Sequence, residues 1–186
     1  ITIPNLDSSF RACSVLHTAR DLFKQYGFLK DGVDRIRAES TMSKATFYHY
    51  FQSKERLIEM CLTFQKDGLK EEVFSIIYSY RELMVFDKLK KIFFLHANLD
   101  GLYRLPLQAS FEIEKFYATA YKVVVDYRNL LVTQIHQLLL TLKATATLED
   151  AYMCVFVIDG TMVQPLRKDI IDERGISLDY FLRMRS

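Results

Sequence analysis

Apolar residues near the start of the chain recur at the spacing of an α-helix. They occupy one face of a helix that we expect over about residues 9–26. Gly27 follows as a left-handed cap that ends this helix, and Phe28 is placed to fold back on its last turn. A second, shorter helix is expected over residues 33–39.

The stretch STMSKATFYHYFQSKERLI, residues 40–58, predicts two more helices. Ser43 is a good N-cap, and Met42 and Phe47 have the N′ and N4 spacing of a hydrophobic staple. Ser53 caps a longer fourth helix. Two short helices joined by a tight turn, with a helix on each side, form a helix-turn-helix arrangement.

The rest of the chain also has a helical pattern. An apolar stripe over residues 89–103 is expected to end at Pro106, and residues 107–142 contain almost no helix breaker. A capping box precedes a helix expected at about residues 148–166, and Ser177 caps a last short helix. The predicted fold class is therefore all-α.

Composition places this helical chain in a reducing compartment. The 186 residues include only three cysteines, which lie far apart and form no C-x-x-C pair. This pattern argues against a disulfide framework and for a cytoplasmic location. No apolar run approaches the roughly 18 residues that span a bilayer, so we expect no membrane partner. The chain begins at Ile1, so we expect that some N-terminal residues are missing.

Charge is distributed unevenly along the chain. The net charge is +2 overall, but residues 1–54 hold eight basic against five acidic residues, a net of +3. The remainder holds 17 against 18, a net of −1. This asymmetry fits an N-terminal part that meets an anion.

The third helix has what a DNA-reading helix must offer. The residues at the start of such a helix reach base edges, while neighbouring groups hold phosphates. Its start and outer face carry Lys44, Ala45, Thr46, Tyr48 and His49. Lys54, at the N-terminus of the fourth helix, could clasp a phosphate together with free backbone N–H groups. The alternative is a solvated lysine whose unfavourable position Glu55 offsets.

The same residues carry a family resemblance. The block Ser43-x-x-Thr46-Phe47-Tyr48-x-Tyr50-Phe51-x-Ser53-Lys54-Glu55-x-Leu57 follows a first helix with Ala19, Leu22, Phe23, Gly27 and Phe28, and a second with Ile36. Over about 45 residues this segment resembles the N-terminal domain of the TetR family of bacterial transcriptional regulators. Beyond residue 65 the resemblance is one of layout only.

The resemblance implies a division of labour among the DNA contacts. Lys44, Ala45 and His49 would face base edges. Thr46, Tyr48 and Lys54 would hold phosphates, with Tyr50 close by, and Ser43 would cap the reading helix.

Four positions depart from the family pattern. Ser40-Thr41 stands where the family usually has Ala-Gly, so Thr41 would take a conformation usually given to glycine. Arg37 replaces a common small residue, and Val33 stands where a phosphate-binding hydroxyl is frequent.

The resemblance also implies how the chain is organised. Residues 1–54 would form a three-helix DNA-binding domain, and residues 55–186 a helical domain for effector binding and dimerisation, with the fourth helix connecting them. A homodimer suits double-stranded DNA with a palindromic operator, because its recognition helices meet half-sites roughly 34 Å apart. The candidate interface residues are Val155, Ile158, Gly160, Met162, Leu178, Phe181 and Leu182.

The second half contains candidates for an effector pocket. Its aromatic richness favours a small apolar or aromatic effector, although aromatic residues also fill cores. His96 could anchor a polar group of the effector or be a core histidine bonded to a neighbour. The candidate lining residues are Phe93, His96, Tyr103, Phe111, Phe116, Tyr117, Tyr121, Met153 and Phe156.

The expected function is a sequence-specific DNA-binding regulator, a repressor relieved by a small molecule. The alternatives are an effector-independent architectural or cell-division protein that binds DNA, and a helical protein-interaction module. An enzyme is not expected, because the four histidines show no metal-binding spacing and the chain has no P-loop, nucleophile elbow or dinucleotide fingerprint. We therefore expect no cofactor, metal site or catalytic residue.

Overall fold

The computed structural model describes residues 6–30 and 32–163. All regular elements within these ranges are helical, which confirms the predicted all-α class. The helices are α1 (Leu6–Tyr26), α2 (Val33–Glu39), α3 (Lys44–Phe51), α4 (Lys54–Phe74), α5 (Val85–His96), α6 (Arg104–Glu112), α7 (Ala118–Leu142) and α8 (Leu148–Val163), with a π-helical turn at Ser75–Ser79. The helix expected after Ser177 lies outside the described residues.

The sequence suggested that a helix ends at Pro106. In the structure Pro106 lies in the first turn of α6. A proline is tolerated there because the first backbone N–H groups of a helix have no partner within it. The long stretch after Pro106 then forms two helices, α6 and α7, separated by residues 113–117.

The chain divides into two compact units. Unit 1 contains residues 1–67 and 105–125, and unit 2 contains residues 68–104 and 126–186. This division differs from the expected boundary at residue 54. The difference arises because α6 and the first turns of α7 share the apolar core of the helix-turn-helix segment.

Unit 1 is held together by one apolar core. The buried residues of the first helices include Ala19, Phe23 and Ile36, and the distant segment contributes Ala109 and Ile113 to the same cluster. Burying a large apolar side chain stabilises a fold by roughly 1.5–3 kcal/mol. The helix-turn-helix therefore depends on residues that follow it in the sequence by more than 50 positions.

Unit 2 has a core of its own. It buries Ile92 and Phe93 from α5, Leu131 from α7, and Val155 and Ile158 from α8. Within this core a histidine and several tyrosines form hydrogen bonds, which are described below.

The end of α1 has the predicted geometry. Gly27 adopts a left-handed φ of +84°, and its N–H donates to the Phe23 carbonyl at 2.9 Å. Phe28 folds back so that its ring stacks on Phe23 with centroids 4.9 Å apart, and both side chains are fully buried. This turn sets where the chain leaves α1 toward α2.

Candidate functional site

The start of α3 is fixed by local interactions that the sequence predicted. The Ser43 hydroxyl accepts the Thr46 N–H at 3.2 Å and shares a 2.8 Å hydrogen bond with the Thr46 hydroxyl. Met42 and Phe47, the residues of the proposed staple, are both buried in the core of unit 1. The Phe51 side chain is buried one turn later, so α3 is anchored along its inner face.

The outer face of α3 is accessible. Lys44, Ala45 and His49 are exposed, and the Tyr48 side chain is 39% exposed. Tyr50 is half-buried and packs against the core beside Phe51. The helix therefore presents a cation, a phenol and an imidazole outward from a well-anchored backbone, a combination suited to hydrogen bonds with phosphates and base edges.

The turn before α3 has the unusual backbone expected of it. Thr41 adopts a φ of +55°, which confirms that a threonine takes the left-handed conformation usually given to glycine. The Ser40 hydroxyl donates to the Arg37 carbonyl at 3.0 Å and closes the end of α2. A β-branched residue in this region is strained, so the surrounding contacts must compensate for that cost.

The start of α4 follows α3 after a single tight turn. Gln52 has a φ of +57°, and the Ser53 hydroxyl accepts the Arg56 N–H at 3.1 Å, as an N-cap does. Lys54 is the first residue of α4 and is half-buried. Its position places a cation at a helix end whose backbone N–H groups favour anions.

Sequence reasoning did not anticipate the role of Glu55. Its carboxylate accepts the Thr119 N–H at 3.0 Å, so it caps the start of α7 as well as lying in the first turn of α4. The two residues are 64 positions apart, and no local pattern signals such a contact. Glu55 thus ties the end of α4 that carries Lys54 to the start of α7.

The candidate pocket residues do not form one group. Phe93, His96 and Tyr103 are buried in unit 2, whereas Met153 and Phe156 of the same unit are exposed. The other four belong to unit 1, where Tyr117 and Tyr121 are half-buried and Phe111 and Phe116 are exposed. Aromatic residues at helical spacing cannot be assigned to a shared cavity until the packing of their helices is known.

His96 is a bonded core residue of unit 2. Its Nδ1 lies 2.6 Å from the Ile92 carbonyl and its Nε2 lies 2.6 Å from the Tyr127 hydroxyl. Because a carbonyl only accepts, Nδ1 carries the proton and Nε2 accepts from the tyrosine. Burial lowers the pKa of His96 to about 4, against the opposing effects of the Ile92 carbonyl and Asp159. The imidazole is therefore neutral near pH 7 and has no unused nitrogen.

A second polar group lies beside His96. The Tyr103 hydroxyl donates to Asp159 at 2.8 Å, and Arg128 donates to the Tyr103 hydroxyl at 2.8 Å. Arg128 also forms an ion pair of 2.8 Å with Asp159. Burial, followed by the charge of Asp159, holds the pKa of Tyr103 well above its usual value, so the phenol remains protonated. These contacts join α7 and α8 to the residue just before α6 begins.

The interface candidates on α8 lie in different environments. Val155 and Ile158 are buried inside unit 2. Tyr152, Met153 and Phe156, on the other side, are exposed. The helix is apolar all round, and the pattern alone could not rank its faces. Gly160 is exposed and Met162 is half-buried, while Leu178, Phe181 and Leu182 lie outside the described residues.

None of the helices in the described ranges is long and apolar enough to cross a membrane. The same residues contain no group of three or more metal-ligating side chains. Cys61 is buried, and this burial raises the pKa of its thiol.

Comparison with known proteins matches the N-terminal segment to one family. Residues 15–61 match the model of the bacterial regulatory proteins of the tetR family. The Transposon Tn10 TetC protein from Escherichia coli is 32% identical over 57 residues. This alignment covers 31% of the present chain and 28% of that relative, so it concerns the N-terminal part alone.

Solved structures extend the likeness to the whole fold. The reduced form of NemR from Escherichia coli superposes with a TM-score of 0.79 at 16% identity, covering 93% of this chain and 96% of its own. A TetR-family transcriptional regulator from Streptomyces coelicolor gives a TM-score of 0.76 at 22% identity, covering 96% and 94%. At such identities the similarity shows the fold alone.

Proposed function

We propose that this chain is a regulator of the TetR family and that it binds operator DNA as a homodimer, on the support of the match of residues 15–61 to that family's model. In this proposal α3 enters the major groove of double-stranded DNA. The observation that supports it best is the division of α3 into two faces. Phe47 and Phe51 are buried, while Lys44, Tyr48 and His49 face outward.

We assign two kinds of contact to this surface. Lys44, Ala45 and His49, near the start and outer face of α3, read base edges. Thr46, Tyr48 and Lys54 hold phosphates, with Tyr50 beside them, and Ser43 supports them as the helix cap. The two types of contact predict different effects of substitution. Loss of a phosphate contact should lower the affinity for every DNA sequence, whereas loss of a base contact should change which DNA sequence is preferred.

The first test is a selection of bound fragments from genomic DNA, followed by affinity measurements on the selected fragment. The double variant Tyr48→Ala/Lys54→Ala should lose about 100-fold in affinity for all sequences, because it removes charged and neutral phosphate contacts in both subunits. Its slope of log K against log salt should become shallower by about 2, since each subunit loses one cation. Lys44→Ala or His49→Ala should instead change which sequences are selected.

A matched control is available in unit 2. Tyr80 and Lys91 are the same residue types, both exposed, and they contact each other with the ammonium 5.3 Å from the ring centroid. Tyr80→Ala/Lys91→Ala should bind the selected fragment as the parent does. Equal affinities for the parent and the Tyr48/Lys54 variant would reject the site. Salt-independent binding would favour a protein-interaction module.

We also propose that the chain represses transcription and that a small apolar or aromatic effector, bound in unit 2, relieves the repression. The match of residues 15–61 to the tetR family model and the aromatic content of unit 2 support this. An effector that binds the DNA-free form preferentially would shift the population away from the DNA-bound form. The test is a set of small aromatic compounds assayed for thermal stabilisation and for loss of DNA affinity. A compound that stabilises the protein and strengthens DNA binding would overturn relief of repression.

The surface that we propose for dimerisation is the outer side of α8. Tyr152, Met153 and Phe156 are exposed there, and a Cβ added at Gly160 would meet no atom within 4 Å. A second copy packing on this side would cover these three side chains. In a twofold dimer the same side chains of both subunits would lie in the interface. This assignment replaces Val155 and Ile158 as contact residues and keeps Gly160.

A further inference from the structure

The C-terminal turn of α1 lacks a hydrogen bond that such turns often contain. When a glycine follows a helix in the left-handed conformation, the helix can end in a Schellman motif, where the next residue's N–H also bonds to a helix carbonyl, or in the αL motif, where the glycine N–H alone does so. Here the Gly27 N–H donates to the Phe23 carbonyl at 2.9 Å, as in the αL motif, and the Phe28 N–H takes no part in the backbone bonds of the cap. The Phe28 N–H donates instead to Glu112 on α6, at 2.7 Å.

Two side chains of α6 complete the turn. The Gln108 amide donates to the Phe23 carbonyl at 3.0 Å, and the same nitrogen donates to Glu112 at 2.9 Å. The path from the Phe28 N–H to the Phe23 carbonyl therefore runs through a carboxylate and an amide one helical turn apart. These two residues form a bridge, which we call the α6 bridge, between two backbone groups at the end of α1.

The α6 bridge packs closely against the Gly27 backbone. A Cβ placed on Gly27 would lie 2.9 Å from a carboxylate oxygen of Glu112, and the glycine φ is +84°. A cleft of about 400 Å³, lined in part by Gln108 and Glu112, opens beside the bridge. The bridge is thus part-buried and close to solvent, where loss of one bond can be observed by local exchange.

We propose that Gln108 and Glu112 are positioning residues for DNA binding, and this inference depends on the function proposed above. Phe28 is buried in the core just before α2 begins. The α6 bridge therefore fixes the position of the backbone that leads into α2 and α3. A recognition helix supported in this way keeps its orientation within the narrow range that a binding site requires.

The polarity of the α6 bridge makes it testable by exchange of its two residues. The variant Gln108→Glu/Glu112→Gln has the same net charge and nearly the same volume as the parent. It places a carboxylate against the Phe23 carbonyl, which is an unfavourable pair. It also replaces the charged acceptor of the Phe28 N–H by a neutral amide oxygen, which is a weaker acceptor. A side chain needed only for packing would tolerate the exchange.

The experiment uses the full chain and two measurements. Amide hydrogen exchange by NMR should be about tenfold faster at Phe28 in the exchanged variant than in the parent. Affinity for the selected DNA fragment should fall about tenfold at a temperature where both proteins are folded. The control Glu114→Gln/Gln137→Glu has the same charge balance at exposed positions and should change neither.

The other possible results distinguish failure of the α6 bridge, of its positioning role and of the proposed function. Unchanged exchange at Phe28 would overturn the bridge, and faster exchange with parental DNA affinity would overturn its positioning role. A parent chain that selects no DNA would reject the proposed function, whereas an exchanged variant that binds as well as a binding parent rejects only this inference. If the exchanged variant does not fold, Gln108→Ala removes the donor to Phe23 and to Glu112 but keeps the acceptor of the Phe28 N–H, and it should show both effects at about threefold.

Discussion

The helices α3 and α8 differ in how much of their role can be inferred from their own residues. In α3 the polar and apolar side chains lie on opposite sides, and the structure buries Phe47 while leaving Lys44 and His49 outside. In α8 apolar residues lie on more than one face, and the structure buries Val155 and Ile158 while exposing Tyr152 and Phe156. A helix of the first kind indicates its own orientation, whereas a helix of the second kind is oriented by its neighbours.

At a candidate site, predictions that depend on local interactions are therefore the more reliable ones. The residues that we propose to face DNA follow from a cap, a staple and a polar outer face, all within ten residues of one another. The residues that we propose for an interface on α8 could be chosen only once the packing of unit 2 was known. Two phenylalanines, Phe47 and Phe156, allow the comparison to be tested with one substitution type.

The largest expected effect is that of Phe47→Ala. This side chain is 1% exposed and holds α3 to the core, so its removal should lower the free energy of unfolding by about 3–5 kcal/mol. Chemical denaturation monitored by circular dichroism measures the change. A loss below 1 kcal/mol would show that the staple does not anchor α3.

The next effect concerns the unit 2 core and pH. His96 has a folded pKa of about 4 against an ordinary value of 6.5, so the unfolded chain binds a proton that the folded chain does not between these values. Stability is therefore fully present above pH 6.5 and falls by roughly 3 kcal/mol as the pH drops toward 4. His96→Gln should be less stable at pH 7 but flatter over this window, whereas His17→Gln, at an exposed position, should keep the parental slope. Parallel curves for all three proteins would contradict this reading.

A smaller effect is expected for Phe156→Ala. The side chain is 55% exposed, so the substitution should change the stability of the isolated chain by less than about 1 kcal/mol. If α8 forms the twofold interface, the dimer should be weakened by roughly 2 kcal/mol, because the ring is lost from both copies. Analytical ultracentrifugation over a concentration series separates the two quantities. Dimerisation equal to that of the parent would place the interface elsewhere.

The smallest effect tests the turn before α3. Thr41→Gly should raise the free energy of unfolding by about 0.5 kcal/mol, since relief of the left-handed strain exceeds the extra entropy of an unfolded glycine. Gly27→Ala is the opposite substitution at the other left-handed position and should destabilise by about 1–2 kcal/mol. Thermal unfolding of the two variants measures both signs. A destabilised Thr41→Gly would mean that the threonine side chain has contacts that outweigh its strain.

The sequence by itself determined the elements whose interactions are local. Gly27, Ser43 and Ser53 mark helix ends through hydrogen bonds spanning a few residues, and the unusual backbone of Thr41 followed from its place in the turn. Such interactions depend on spacing along the chain, so spacing was enough to predict them.

Only the tertiary structure decided the interactions between distant residues. The Glu112 carboxylate at the Phe28 N–H, the Glu55 carboxylate at the Thr119 N–H and the histidine of the unit 2 core all join separate helices. The assignment of α6 to unit 1 and the orientation of α8 also depended on packing. A side chain's partner across such distances is set by which helices share a core, and an apolar pattern identifies a helix as buried without identifying what covers it.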